Sequence, residues 1–329
     1  MTSYLPDINK QCPSIESNLP TNETILIFGG SGSLGTNLTR RWIKDNIIVN
    51  VSRDEEKQWQ LRTSVQNHSN LKQYIGDISC YKDVENCLHI FKPTIIVIAA
   101  ALKHIDICEQ YPSKSIQMNV YGIINVQRVL ENFPGLTRTV LFVSTDKACK
   151  PLTVYGYSKA TSESIVQNYK GPVRFIGVRY GNVLNSSGSI IPYLKNSSNP
   201  KDAYRLTHEN MTRFLMTLDN SVNLIEYALK CAKQNELIIP NLTAMKIKEL
   251  FELYCEKFNK SYVITGLRCK EKIHEDILSE FELKQSYIKD GYIHLTNYQT
   301  DSSLSSIDSS MNNVSKEDLK LFLQEYQYL

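Results

Sequence analysis

Between Ser144 and Lys159, in the run S-T-D-K-A-C-K-P-L-T-V-Y-G-Y-S-K, the chain places a carboxylic acid (Asp146), two amines (Lys147 and Lys159) and a phenol (Tyr155). Such a set can move protons in both directions around one carbon skeleton. The preceding run, Thr139 to Val143, is apolar with β-branched and aromatic residues and predicts a buried strand. Asp146 and Lys147 then fall just past its carboxyl end, where open α/β sheets bind ligands. After Pro151 the pattern predicts a helix over Thr153 to Tyr169. On it Tyr155 and Lys159 stand one turn apart on one face. A free phenol titrates near ~10, and an ammonium one turn away favours its anion. Burial favours the neutral forms of both Asp146 and Lys147. Alone, Y-x-x-x-K is equally an ordinary solvated helix face, so its meaning depends on what precedes it.

What precedes it is a phosphate cradle. Ile25 to Phe28 reads as a short buried strand, followed by G-G-S-G-S-L-G and a helical stretch to about Lys44. Gly29, Gly32 and Gly35, with Ser33 and Leu34 between them, give a tight turn that brings backbone against a pyrophosphate at a helix N-terminus. The second strand, Ile47 to Ser52, ends in Arg53 and Asp54. An arginine there accommodates a 2'-phosphate and a carboxylate holds a ribose hydroxyl, so Arg53, with Lys57 near it, favours NADP, and NAD held by Asp54 is the alternative. After a third strand, Leu71 to Ile75, Asp77 and Ile78 are placed against an adenine. A fourth, Thr94 to Ile98, leads to Ala99, Ala100 and Ala101, small enough for the backbone to lie on the cofactor. Lys103 projects beyond it, where it can meet a substrate phosphate or hydroxyl. His104 reads as a structural hydrogen-bonding residue. Asn119, in a helix predicted over Ser115 to Glu131, reads either as a bridge between backbone groups near the site or as a satisfied buried amide.

The alternation continues through a strand over Val173 to Tyr180 and then breaks down. Asn185 to Ser189 is a Gly/Ser loop, and Thr207 to Phe214 has the mixed polar and aromatic character of a substrate cap. A helix over Leu218 to Ala232 and a strand over Glu236 to Pro240 are expected to return to the main sheet. A helix follows over Met245 to Phe258. The run after it carries Arg268, Glu271 and His274. Residues 299 to 315 are Ser/Asn/Asp-rich, with a last helix from Ser315. The expected organisation is α/β: an extended lead over 1–22, a Rossmann-type doubly wound parallel sheet over 23–183 with 217–240 returning to it, and a smaller α/β substrate-binding domain mainly over 184–329.

Composition bounds the rest. At 329 residues and 42% apolar content the chain can bury a full core, and a net charge of +3 is too mild to argue for nucleic acid. Eight cysteines are scattered without a C-x-x-C pair, which argues against a zinc site and a disulfide framework. No apolar run approaches the length of a membrane span, and the first twenty residues lack the apolar segment of a secretion signal. A soluble cytoplasmic protein with no membrane partner is expected.

Taken together, these pieces resemble the extended short-chain dehydrogenase/reductases, and within them the UDP-N-acetylglucosamine 4,6-dehydratases of polysaccharide biosynthesis. The similarity runs from Ile25 to about Leu283, and more weakly through the final helix. It is carried by G-G-S-G-S-L-G at 29–35, S-R-D at 52–54, A-A-L-K-H at 100–104, S-T-D-K at 144–147, Y-G-Y-S-K at 155–159, R-Y-G-N-V at 179–183 and M-T-R-F at 211–214. The D-K pair is the specific element. The resemblance implies Thr145, Asp146, Lys147, Tyr155 and Lys159 as the catalytic set, NADP as cofactor and UDP-N-acetylglucosamine as substrate. It implies Lys103, Asn182, Arg213, Arg268 and Glu271 as the groups holding the sugar nucleotide, and a homo-oligomer, dimer or hexamer. Tyr155 is similar to the members that invert C5, since the retaining ones carry methionine there. Two departures stand out. Phe28 replaces a usual threonine, and L-R-C-K-E at 267–271 replaces I-R-P-G-E, which puts the placement of Arg268 and Glu271 in question. A UDP-sugar 4-epimerase, or an idle NADP-binding regulator on the same fold, are the competing readings.

Overall fold

The computed structural model describes residues 21–66, 68–133, 135–196, 203–300 and 304–329. The extended lead expected over 1–22 lies outside these residues except for its last two. The first half alternates as the hydrophobic pattern requires: β1 (Thr24–Phe28), α1 (Ser33–Trp42), β2 (Ile47–Ser52), α2 (Glu55–Ser64), β3 (Leu71–Ile75), α3 (Tyr81–Phe91), β4 (Ile95–Ile98), α4 (Ile105–Gln110), α5 (Pro112–Ile116), α6 (Gly122–Asn132), β5 (Thr139–Val143), α7 (Val154–Gln167) and β6 (Arg174–Val178). β1, β4 and β5 are near-continuous apolar runs, buried on both faces, as strands covered by helices on two sides must be. Each fully buried aliphatic side chain contributes roughly 1.5–3 kcal/mol.

The second half is built from short strands: β7 (Asn182–Val183), α8 (Ile190–Asn196), β8 (Tyr204–Leu206), β9 (Thr212–Met216), α9 (Leu218–Cys231), β10 (Leu237–Pro240), β11 (Ala244–Lys246), α10 (Ile247–Phe258), β12 (Tyr262–Ile264), β13 (Asp276–Leu278), β14 (Ser286–Lys289), β15 (Tyr292–Leu295), β16 (Ile307–Asp308) and α11 (Lys316–Glu325). The main sheet has the order β14-β15-β10-β6-β5-β4-β1-β2-β3. Its strands from β3 to β10 are parallel and β15 and β14 are antiparallel additions. This is a Rossmann-type doubly wound sheet, and β1 lies between β2 and β4, so the order reverses there. Ligands of such sheets lie in the crevice past the carboxyl ends at that point. Segment 218–240 packs into this layer, with β10 beside β6. The remaining pieces form the small sheet β11-β9-β7 and two strand pairs, closed by a second apolar core around Tyr204, Leu215, Phe251, Tyr254, Leu319 and Phe322.

Some expectations are refined. Thr207–Phe214, read as a cap, ends in β9, a strand buried at every position. The helix expected over Ser115 to Glu131 is interrupted by a π-helical turn over Gln117–Tyr121. That turn swings Asn119 inward, where its Oδ1 accepts from Leu102 N (2.9 Å) and its Nδ2 donates to Leu102 O (3.0 Å) and Ser158 Oγ (2.9 Å). Asn119 therefore bridges the β4–α4 loop to α7, and insertions of this kind are frequent at functional sites. α7 is fixed a second way. Arg179, 2% exposed, donates to both oxygens of Glu163 on α7 (2.9 and 2.6 Å), to Glu282 (2.7 Å) and to Ile277 O (3.0 Å). One guanidinium thus ties the helix bearing Tyr155 and Lys159 to the C-terminal segment.

Candidate active site

Two adjoining clefts open past the carboxyl ends of the strands. The first is lined by the glycine-rich turn, Arg53, Asp77, Ile78, Ala99, Ala100, Tyr155 and Lys159. Gly29 has φ +83°, and a Cβ there would lie 2.7 Å from Ala100 N, so the turn and the backbone of Ala99 and Ala100 are in mutual contact only because the residue is glycine. At Gly35 a Cβ would strike the backbone of Gly29 and Gly30. Gly32 caps α1 without a side-chain bond to the helix, leaving the first N–H groups, at Ser33 and Leu34, directed at the cleft. These features fit a dinucleotide pyrophosphate at a helix N-terminus.

At the adenosine end, Arg53 and Asp77 meet each other, Nη1 to Oδ2 at 3.4 Å, and Ser79 occupies the other Asp77 oxygen. Arg53 is 62% exposed. Asp54 and Lys57 line the same end of the cleft, where Asp54 caps α2 through Lys57 N (3.0 Å) and pairs with Lys57 Nζ (2.8 Å).

The second cleft, of about 580 Å³, contains Lys103, Lys147, Asn182, Arg213, Arg268 and Glu271. Lys103 belongs to both clefts and donates to Ser187 O (2.6 Å). Ser187 also bonds Ser33 at the head of α1 through N (3.0 Å), so the Gly/Ser loop lies across the junction of the clefts. Asn182 Oδ1, Ser144 Oγ and Asp146 Oδ2 are buried with no partner among the described residues. Buried polar atoms are rarely left so; Asn182 lines the second cleft, Ser144 lines the first, and Asp146 is buried beside Lys147.

At its centre lies a charged cluster. A 3-10 turn over Asp146–Ala148, capped by the Thr145 hydroxyl, follows β5. Asp146 is fully buried; its Oδ1 accepts from Thr145 Oγ1 (2.9 Å) and from Lys147 Nζ (3.1 Å). On the other side Lys147 Nζ lies 3.3 Å from Glu275 Oε1. Burial pushes the Asp146 carboxyl up, Lys147 partly offsets this, and the charge of Glu275 adds to it. Burial would also favour the neutral Lys147 amine, yet the carboxylates of Asp146 and Glu275 outweigh it and hold Lys147 above its ordinary value. The expectation of a neutral Lys147 is therefore corrected, because sequence reasoning counted burial and missed Glu275. Burial pushes Glu275 up too, but Lys147, Arg213 and Lys272 overcome it and keep it ionised.

The phenol needs a similar correction. Tyr155 is buried, and burial with the nearby Asp146 raises it, Thr145 opposing. Lys159 does not offset this. Its Nζ donates to Val143 O (2.6 Å) above the Phe142 ring, and burial depresses it to about 7. With these neighbours the phenol holds its proton.

Arg213 and Glu271 line the second cleft and also make backbone contacts, while His104 departs from its expected role. Arg213 is turned inward and donates to Thr212 O, Lys272 O and Ile273 O at 2.7–3.0 Å. Glu271 accepts from Arg268 N (3.1 Å) within its own turn. His104 is exposed in the mouth of both clefts beside Gly188, and its side chain makes no hydrogen bond among the described residues. Arg205, Lys270, Lys272 and Glu275, which sequence reasoning assigned no role, all line the second cleft. Among the described residues no cluster of metal-ligating side chains occurs, the cysteines are free thiols, and no helix is long and apolar enough to cross a membrane.

The sheet, the cradle and the phenol facing it define the class: an enzyme of the extended short-chain dehydrogenase/reductase type, from the group that modifies nucleotide sugars. The chain belongs to the polysaccharide biosynthesis protein family, which it matches over residues 25–297. It is 34% identical over 287 residues to a UDP-glucose 4-epimerase of Rickettsia typhi, covering 83% of each chain. Among solved structures it resembles Pen from Bacillus thuringiensis, with 26% identity, a TM-score of 0.85, and 94% and 99% of the two chains covered. It shares its fold with DesIV, a dTDP-glucose 4,6-dehydratase of Streptomyces venezuelae solved with NAD bound, at 17% identity and a TM-score of 0.68 over 76% and 86% of the chains.

Proposed function

We propose that the protein is a UDP-N-acetylglucosamine 4,6-dehydratase that inverts C5 and works with NADP. The observation that supports this most is the buried Asp146–Lys147–Glu275 cluster beside Tyr155: epimerisation at C4 needs no second acid and base, whereas loss of water across C5 and C6 needs both. A nicotinamide cofactor held in the first cleft by the glycine-rich turn, Arg53, Tyr155 and Lys159 would supply the hydride acceptor for C4 and the hydride donor for C6. Tyr155, its own proton first lost to solvent, receives the C4 hydroxyl proton as a phenolate; the resulting ketone acidifies C5–H, Lys147 removes that proton, and Asp146 protonates the C6 hydroxyl as it leaves as water. Lys147 then returns a proton to C5.

The resting charges supply the required state by one short transfer. Moving a proton from Lys147 Nζ to Asp146 Oδ1 across 3.1 Å yields a neutral amine and a neutral acid together, while Glu275 stays ionised and steadies the array. The same transfer removes the Asp146 charge that helps hold the proton on Tyr155. Arg205, Arg268 and Lys103 provide cationic contacts for a diphosphate, with Arg213 fixing the wall behind them. The exposed guanidinium of Arg53, with Asp54 committed to α2, favours the 2'-phosphate of NADP over NAD.

A UDP-sugar 4-epimerase remains the second reading, favoured by the names of the Rickettsia relatives. Incubation with UDP-N-acetylglucosamine and NADP, read by mass spectrometry, separates them. The dehydratase yields a product lighter by one water; an isomer of unchanged mass would replace this proposal with the epimerase.

A further inference from the structure

Residues 265–272 run as a strap along the mouth of the second cleft. One end is anchored by Thr265 N donating to Leu206 O (2.8 Å). The other is anchored by Lys272, whose Nζ donates to Cys149 O (3.0 Å) and whose carbonyl accepts from Arg213. Between these anchors the strap is exposed, and two ion pairs carry it to α4 on the opposite side: Lys270 Nζ to Glu109 Oε2 at 2.8 Å and Arg268 to Asp106 at 3.8 Å. Lys270 reaches its partner from a left-handed backbone, φ +63°, a conformation that ordinary side chains adopt uncommonly. Gly266, at φ +87°, takes the left-handed turn at that end of the strap and has nothing within 4 Å of a would-be Cβ. Glu109 has a second duty: its Oε1 accepts from Val154 N (2.7 Å), the first residue of α7.

We propose that Lys270 and Glu109 form a latch that holds the strap over bound nucleotide sugar and joins strap closure to the helix carrying Tyr155. Both are positioning residues. Exposed ion pairs are weak and screened by salt, which suits a contact that must open once per turnover. A redox-neutral reaction passing through a ketone has particular need of it, because an intermediate lost before hydride returns strands the reduced cofactor. This part of the inference rests on the nucleotide-sugar reading of the cleft.

The test is the release rate of UDP from the full-length protein, followed by stopped-flow, together with KM and kcat. Lys270→Met and Glu109→Gln are each expected to speed UDP release about fivefold, the scale of one exposed ion pair, and to raise KM while kcat falls by less than about twofold. Lys270→Arg restores slow release, and added salt speeds release from the unaltered protein by a larger factor than from Lys270→Met or Glu109→Gln. Release rates unchanged in Lys270→Met, or a loss in kcat at unchanged KM, overturn the latch. UDP release requires no chemistry, so failure to lose water from the sugar leaves this test valid; failure of the unaltered chain to bind UDP would instead reject the nucleotide reading and the latch with it.

Discussion

Lys147→Met is expected to lower formation of the dehydrated keto sugar by about a thousandfold, within the range for a positioned general base, while cofactor binding is unchanged. The separation follows from where the side chain sits. Lys147 belongs to the second cleft and not to the dinucleotide cleft, and it is 18% exposed between Asp146 and Glu275. Methionine keeps much of the stem; Asp146, left without its cation, takes up a proton, while Glu275 keeps Arg213 beside it at 3.8 Å. Cofactor titration by fluorescence and single-turnover product assays measure the two effects independently. Full turnover by the variant would remove Lys147 from the mechanism.

The second large effect is on folding. Arg179→Met is expected to destabilise the protein by about 3–5 kcal/mol in urea unfolding, the cost of leaving buried carboxylates without their cation. Its sign with pH follows from Glu282. Burial pushes that carboxyl up, but Arg179 and the Ser279 donors more than reverse this and lower it from 4.5 to about 2. A depressed carboxyl stabilises the fold above its unfolded value and loses that contribution as pH falls through the folded one. The unaltered chain should therefore lose about 3 kcal/mol between pH 4.5 and 2 from this group. The variant should lose much less over the same interval. Equal acid sensitivity of the two would show that the pair adds nothing to stability. Because Glu163 lies on α7, the variant should also lose activity before it unfolds.

How much of this was legible beforehand differs by layer. β1, β4 and β5 are apolar runs bounded by turn residues, and their position and order follow from pattern alone. The glycine-rich turn between β1 and α1 was equally plain, since each glycine answers a steric demand that the structure displays. β14 and β15 went unmarked, because Ser286–Lys289 mixes polar and apolar residues on a half-buried edge. The π-turn at Asn119 was invisible because one extra residue does not disturb a helical pattern enough to be read. In the site, residue types were legible and charge states were not. Glu275 is one acid in the run K-E-K-I-H-E until tertiary packing sets it against Lys147, and that contact reverses the ionisation that burial alone implies. Arg213 shows the same limit: its place beside the cleft could be anticipated, but its inward turn onto the backbone of Lys272 and Ile273 could not.

The reaction itself is tested most directly by running it in deuterated water. NMR of the sugar nucleotide formed from UDP-N-acetylglucosamine should show a 4-keto sugar with a C6 methyl group. Deuterium from solvent should appear at C5, delivered by Lys147, while the third methyl hydrogen is the one that left C4. A C4 epimer with no solvent deuterium in its ring would contradict this account and leave the Asp146–Lys147–Glu275 cluster without a chemical role.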